Sequence, residues 1–218
     1  MSKNGKVSEK HWKMIKANFL LYVEFLCGRE FLVVSTDGKF FARVQFDEGR
    51  FMHLTGVCSS IINAHKFFSY GIKQEFDEWK NSCAYKWDHV NKTYLSNQVT
   101  KKNNVLPFAC RMFEDDVELY VSMDVMGRNL KCVFGLGDNR EELTFTMGFI
   151  KVKSEDYYVP NTLLDKPLGK FGDIHKIDFV FSRMIDESKF NDIIKGDKED
   201  ITELLAKFPE LREFLDIQ

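Results

Sequence analysis

The hexapeptide Phe51-Met52-His53-Leu54-Thr55-Gly56 holds the residue types best suited to chemistry. Read as an extended strand, it projects His53 and Thr55 from one face and Met52 and Leu54 from the other. Imidazole titrates near neutral pH and a hydroxyl can hydrogen-bond a phosphate oxygen, so the pair suits phosphodiester or acyl chemistry. The same residues have a structural reading, in which His53 hydrogen-bonds at a strand end and Thr55 caps a helix starting near Ser59. A second group, Lys101 and Lys102 with Lys92 before them and Arg111 after, would either track a nucleic-acid backbone or line a solvated helix.

Several familiar chemistries are excluded. The chain contains no P-loop, no GxGxxG after a strand, no HExxH, no GxSxG and no EF-hand loop. Its five histidines (11, 53, 65, 89 and 175) include no pair at ligand spacing, so neither a metal nor another cofactor is expected. Five cysteines (27, 58, 83, 110 and 132), without a CxxC, read as free thiols in a reducing compartment. No apolar run reaches the 18 or more residues of a membrane span, and the charged N-terminus is unlike a signal peptide, which predicts a cytoplasmic protein.

The elements that must position these residues follow from periodicity. In 218 residues, 44% hydrophobic and 29% charged, one packed core is the expectation. Trp12, Ile15, Phe19, Tyr22, Val23 and Leu26 predict an amphipathic helix over 8–27, with Ser8 as cap and Gly28 as stop. Three β-type runs follow, EFLVVST, KFFARVQF and RFMHLTG, the first two joined at Asp37-Gly38. Ser59 and Ser60 would cap a helix containing Phe67 and Phe68. Further helix is predicted from Ile72 to about Trp87, and the stretch from about 89 to 110 is polar and ambiguous, with Pro107 as a breaker. From Asp116 the period changes, and VELYVSMDV, NLKCVFGLG and ELTFTMGFIKV predict an antiparallel meander with turns at 126–128 and 137–139. An irregular stretch over 156–173 precedes a strand KIDFVFSRM and two helical segments, DESKFNDIIKG and DITELLAKFPELREFL.

The formal net charge of −2 divides unevenly, +3 over 1–185 and −5 over 186–218. This suggests a mildly basic body and an acidic helical tail, with the boundary at 185. The tail either competes with a polyanion for the body or simply packs through Ile201, Leu204, Leu205, Phe208, Leu211, Phe214 and Leu215.

FMHLTGV, a helix with Phe67-Phe68, a strand ending in Met147-Gly148-Phe149, YYVPNTLL and FVFSR together resemble the phage-associated branch of the barnase/EndoU/colicin/RelE-like nuclease superfamily. The blocks extend from about Phe31 to about Ile194. The resemblance implies an α+β fold with N-terminal helices on a four-stranded antiparallel sheet, and metal-independent, toxin-like endonucleolytic cleavage of RNA. It carries active positions onto His53 and Thr55 of HLTG, Thr162 of PNTLL and Arg183 of the last strand. Cleavage through the RNA 2′-OH requires a base, an acid and donors for the phosphate oxygens. His53 suits the base, Arg183 the phosphate donor, and Thr55 and Thr162 the orienting hydroxyls. The acid stays open among Tyr157, Tyr158 and His65. Lys101, Lys102, Arg111 and Tyr158 would contact substrate. The implied partners are RNA, tRNA included, and an antitoxin or host protein. The alternative is a nuclease-like fold without activity that binds a host protein or tRNA.

Overall fold

The computed structural model describes residues 5–69, 73–114, 116–123, 132–138 and 144–216. The fold is α+β. Helix α1 spans Glu9–Phe25, and Ser8 Oγ accepts the His11 N–H at its start. Trp12, Ile15 and Tyr22 form its buried stripe, and Gly28, at φ 78°, turns the chain into the sheet. Strands β1 (Arg29–Ser35) and β2 (Phe40–Phe46) then form the expected hairpin.

The next segment departs from expectation. Residues 48–55 form helix α2 (Glu48–Thr55), not a strand, closed by Gly56 in the left-handed conformation at φ 83°. Over so short a run Met52 and Leu54 satisfy alternation, while Phe51, Met52 and Leu54 together also fit a helical stripe. Asp47 at the N-cap, Glu48 in the first turn and Gly56 past the end are helix punctuation.

Two-stranded pairs and short helices follow: β3 (Val57–Cys58) with β4 (Ala84–Tyr85), α3 (Ala64–Ser69), α4 (Phe76–Trp79), and β5 (Trp87–Asp88) with β6 (Thr93–Tyr94). The helix expected as far as Trp87 is thus only α4, and its proposed start at Ile72 lies outside the described residues. Asn63, rather than Ser59 or Ser60, caps α3 by accepting the Lys66 N–H. Helix α5 (Ser96–Cys110) continues through Pro107. Proline removes the N–H that would bond the carbonyl four residues back. That carbonyl, on Asn103, instead accepts from the Asn18 side chain of α1 at 2.9 Å, so the break is repaired from a neighbouring helix.

The remaining strands are β7 (Leu119–Ser122), β8 (Phe134–Asp138), β9 (Phe145–Lys151), β10 (Tyr158–Leu164), β11 (His175–Lys176), β12 (Phe179–Met184) and β13 (Asp192–Lys195). They join β1 and β2 in one nine-stranded sheet, ordered β11-β7-β8-β9-β10-β2-β1-β12-β13. Every pairing is antiparallel except β10 with β2. The sheet is therefore larger than the implied four strands and mixed. The meander β7–β8–β9 forms as expected, although Gly137 and Asp138 extend β8 and the turn at 126–128 lies outside the described residues. Residues 158–164, read as irregular, form a strand with a bulge between Pro160 and Thr162, which lets a proline sit inside a sheet. Residues 192–195, read as helical, form the edge strand β13.

Alternation along the strands divides the sheet into two faces. Phe31, Val33, Ala42, Val44 and Phe46 face the main core, built with α1, α2, α3 and α5. Leu32, Val34, Phe179 and Phe181 face the other way, onto a second core. That core contains Phe190, helix α6 (Ile201–Lys207) and a 3-10 segment (Pro209–Glu213). The tail residues Ile201, Leu204, Phe208, Leu211 and Leu215 are buried there, on the sheet face opposite α2.

Candidate functional site

Helix geometry separates the pair that a strand would have presented together. At about 100° per residue, His53 and Thr55 diverge by roughly 200° around α2. His53 is exposed, whereas Thr55 is fully buried and its hydroxyl donates to the Met52 carbonyl at 2.8 Å. Thr55 is therefore not presented beside His53, and its hydroxyl closes the last turn of α2.

The C-terminal end of α2 is held by α5. The last carbonyls of a helix lack partners within it and carry partial negative charge. Asn103 Nδ2 donates to the Thr55 carbonyl at 2.9 Å, and Lys102 Nζ donates to the His53 carbonyl at 3.2 Å. Gly56 packs against this arrangement, since a Cβ there would lie 3.0 Å from Lys102 Cδ. Gly56→Ala is expected to destabilise the protein by about 1–2 kcal/mol through its left-handed backbone and to push Lys102 aside. Urea unfolding would check this, and an unchanged midpoint would show that the cap is not strained.

The electrostatics around His53 are one-sided. Partial burial of the ring is the largest influence lowering its pKa below the ordinary 6.5, followed by the charges of Lys86, Arg50 and Lys102, which outweigh Asp47. The lowered pKa favours the neutral imidazole at pH 7, and the charges acting on it are mainly positive. Arg50 is half-buried on α2 and pairs with Asp47 at 3.3 Å, and Lys86 is half-buried between β4 and β5. Lys102 is buried, and that burial together with Lys86 pulls its ammonium down to about 8. A neutral base inside a cationic patch can take a proton beside a bound polyanion.

The structure brings His53 and Lys102 together and leaves the other expected residues elsewhere. Thr162 is half-buried on β10 opposite Gly148. It alternates with Leu163, which enters the main core, so it belongs to the outer face. Arg183 also lies on the outer face, where its Nε and a terminal nitrogen donate to Glu30 Oε2 at 3.1 and 2.7 Å. Arg43 Nε donates to Glu30 Oε1 at 2.5 Å and Gln45 Nε2 to Oε2 at 3.0 Å. Glu30 is fully buried. Burial alone would raise its pKa, but the hydrogen bonds from Arg43, Arg183 and Gln45 outweigh that and hold it below the usual carboxylate range. Phe190 and Phe214 of the tail pack beneath the Arg183 and Arg43 guanidiniums at 4.8 and 5.1 Å.

Lys101 is exposed on α5. Arg111 stacks over Phe25 at 4.7 Å and pairs with Glu114 at 3.7 Å. Tyr158 packs edge-on against Phe134 at 5.0 Å, as a core-lining residue would. Tyr157 is half-buried, and His65 is exposed, 3.8 Å from the Glu48 carboxylate. Cys27, Cys58, Cys83 and Cys110 are free thiols, and burial pushes Cys83 and Cys110 up to about 12, which keeps them protonated and inert. Among the described residues, no group of three or more His, Cys, Asp or Glu side chains is gathered as a metal ion would need. Among them, too, no helix is long and apolar enough to cross a membrane.

Arg50, Lys86, Glu30 and Arg43 were not singled out from the sequence. Alternation in KFFARVQF does place Arg43 and Gln45 on one face, opposite a strand carrying Glu30, and this was a usable signal. Arg50 joins His53 because Glu48–Thr55 form a helix, in which it lies one turn back, whereas Lys86 acts on His53 only through tertiary packing.

Residues 14–199 match the family model described as phage-Barnase-EndoU-ColicinE5/D-RelE like nuclease 4, a range that begins within α1 and takes in the whole sheet. No curated protein and no solved structure matches the chain significantly.

Proposed function

Because the chain belongs to this phage-associated nuclease family, we propose that it is a metal-independent, toxin-like endoribonuclease that cleaves by attack of the 2′-OH on the adjacent phosphate. The observation that carries this reading is an exposed His53 whose pKa is lowered by the charges of Lys86, Arg50 and Lys102, with Lys102 bonded to its backbone carbonyl. His53 takes the 2′-OH proton, and the cations stabilise charge growing on the non-bridging phosphate oxygens. Lys101, exposed on the same helix as Lys102, contacts the RNA backbone further along. Trp87, exposed and next in sequence to Lys86, offers a face on which a base can stack. Arg183 and Thr162, assigned by resemblance to the active site, take no part in this reading because they belong to the outer face. The acidic segment 186–218 acts here as a structural cover for that face rather than as a competitor for RNA.

Incubation of the protein with total cellular RNA in EDTA, with fragment ends mapped, tests the reading. The expected products carry a 2′,3′-cyclic phosphate and a 5′-hydroxyl, and a 2′-deoxy nucleotide 5′ of the cut abolishes cleavage. Cleavage of the deoxy substrate, or a strict need for Mg²⁺, would overturn it.

A second reading, a fold without turnover that binds a host protein, an antitoxin or tRNA, is favoured by one observation. Thr55 is buried and Arg183 is bound to Glu30, so two of the four residues assigned by resemblance are occupied elsewhere. Tight binding of tRNA without any cleavage would support that reading over the first.

A further inference from the structure

The proposed reaction has a base but, so far, no acid for the departing 5′-oxygen. We propose that Lys102 is that acid, an assignment that rests on the cleavage reading above. Its Nζ lies 3.2 Å from the carbonyl of His53, so α5 delivers an ammonium to the same helical turn that carries the imidazole. The side chain is buried, and Gly56 lies against its methylene stem, which fixes where the ammonium sits. Among the described residues, no carboxylate pairs with it. Lys86 acts on its charge, and at His53 the charges of Lys86, Arg50 and Lys102 oppose that of Asp47.

This setting differs from that of a lysine that merely satisfies a helix end. Such a lysine keeps its charge in water and holds its proton far above neutral pH. Lys102 is desolvated beside Lys86, and both effects favour release of the proton. With the ammonium titrating near 8 and His53 below its ordinary value, the correct forms of both groups, neutral imidazole and charged amine, coexist around pH 7.

The step balances without a co-reactant. The 2′-oxygen gives its proton to His53 and forms a bond to phosphorus, while the bond from phosphorus to the 5′-oxygen breaks. The departing oxygen takes a proton from the Lys102 ammonium. The products are the cyclic phosphate and a 5′-hydroxyl, and exchange with water returns the proton from His53 and restores the one lost by Lys102.

The test uses an RNA oligomer spanning the mapped cut and its analogue with sulfur in place of the bridging 5′-oxygen, because a thiolate leaves without being protonated. For the wild type, the rate on the oxygen substrate is expected to fall above about pH 8, and the rate on the sulfur substrate is not. Lys102→Arg, which keeps the charge but cannot release the proton, is expected to lose roughly 10²-fold on oxygen and to stay near wild type on sulfur. His53→Ala remains impaired on both. Equal losses for Lys102→Arg on the two substrates, or full activity on both, would overturn the assignment while leaving the cleavage reading intact. An alkaline limb that persists with sulfur in the wild type would do the same, and it decides the matter even if the variant does not fold. Absence of cleavage by the wild type on either substrate would remove the cleavage reading, and this inference with it.

Discussion

His53→Ala is expected to lower the rate of RNA cleavage by roughly 10²- to 10⁴-fold, the contribution of a well-placed acid or base. The fold should be unaffected, because His53 is exposed and donates no side-chain hydrogen bond on which α2 depends. Binding should also survive, since Arg50, Lys86 and Lys102 remain, so the loss is expected in kcat rather than KM. The wild-type rate should rise with pH along a limb whose midpoint lies below 6.5, because the base works only when neutral and its pKa is lowered. Initial rates in EDTA for wild type and variant across pH 5 to 9 would check both points. A variant as active as wild type, or an acid limb centred above 7, would show that His53 is not the base.

The second large effect is on stability. Glu30 is fully buried between the guanidiniums of Arg43 and Arg183, which are themselves largely buried. Removing one partner of such a group strands charge in a poorly solvated place, which typically costs about 3–5 kcal/mol. Glu30→Ala and Arg183→Ala are both expected to lose stability on this scale, a fall in Tm of roughly 6–20 °C for a chain of this size. The pH dependence has a definite sign. A carboxylate held below its unfolded pKa contributes stability above the ordinary carboxylate range, and that contribution is lost as pH falls through the lowered value. The gap between wild type and Glu30→Gln should therefore be widest near neutral pH and close in acid. If Arg183→Ala melts like wild type yet turns over slowly, Arg183 belongs to catalysis after all, as the resemblance to the nuclease superfamily implied.

How much of this was legible depended on how local each feature is. Helix α1, the β1–β2 hairpin, the β7–β8–β9 meander and α6 follow from periodicity and turn residues a few positions apart. Helix α2 was missed because over so few residues Met52 and Leu54 alternate as a strand requires while Phe51, Met52 and Leu54 also fit a helical stripe, and the helix punctuation of Asp47 and Gly56 breaks the tie. Pro160 and Pro107 misled for a shared reason, since each forbids a hydrogen bond whose loss the tertiary structure absorbs, one by a bulge and the other by Asn18. His53 was legible as a residue type, but its cationic surroundings were not. Arg50 sits one turn away on a helix read as a strand, and Lys86 comes from a segment read as helical. The true partner of Arg183 required the β1–β12 pairing, which joins residues at opposite ends of the chain.

The strand order also sets when the molecule can finish folding. β1 occupies the interior of the sheet, but its second neighbour is β12, so Val33 waits for Val180, and Val44 on β2 waits for Tyr158. Pairings this distant require large loops to close before any contact rewards them, and they place the chain among slow folders. On a ribosome, the centre of the sheet stays open until β12, about 150 residues after β1, has emerged. Helices α2 and α5 lean on that sheet, so the frame behind His53 and Lys102 is completed only after β12 has been made.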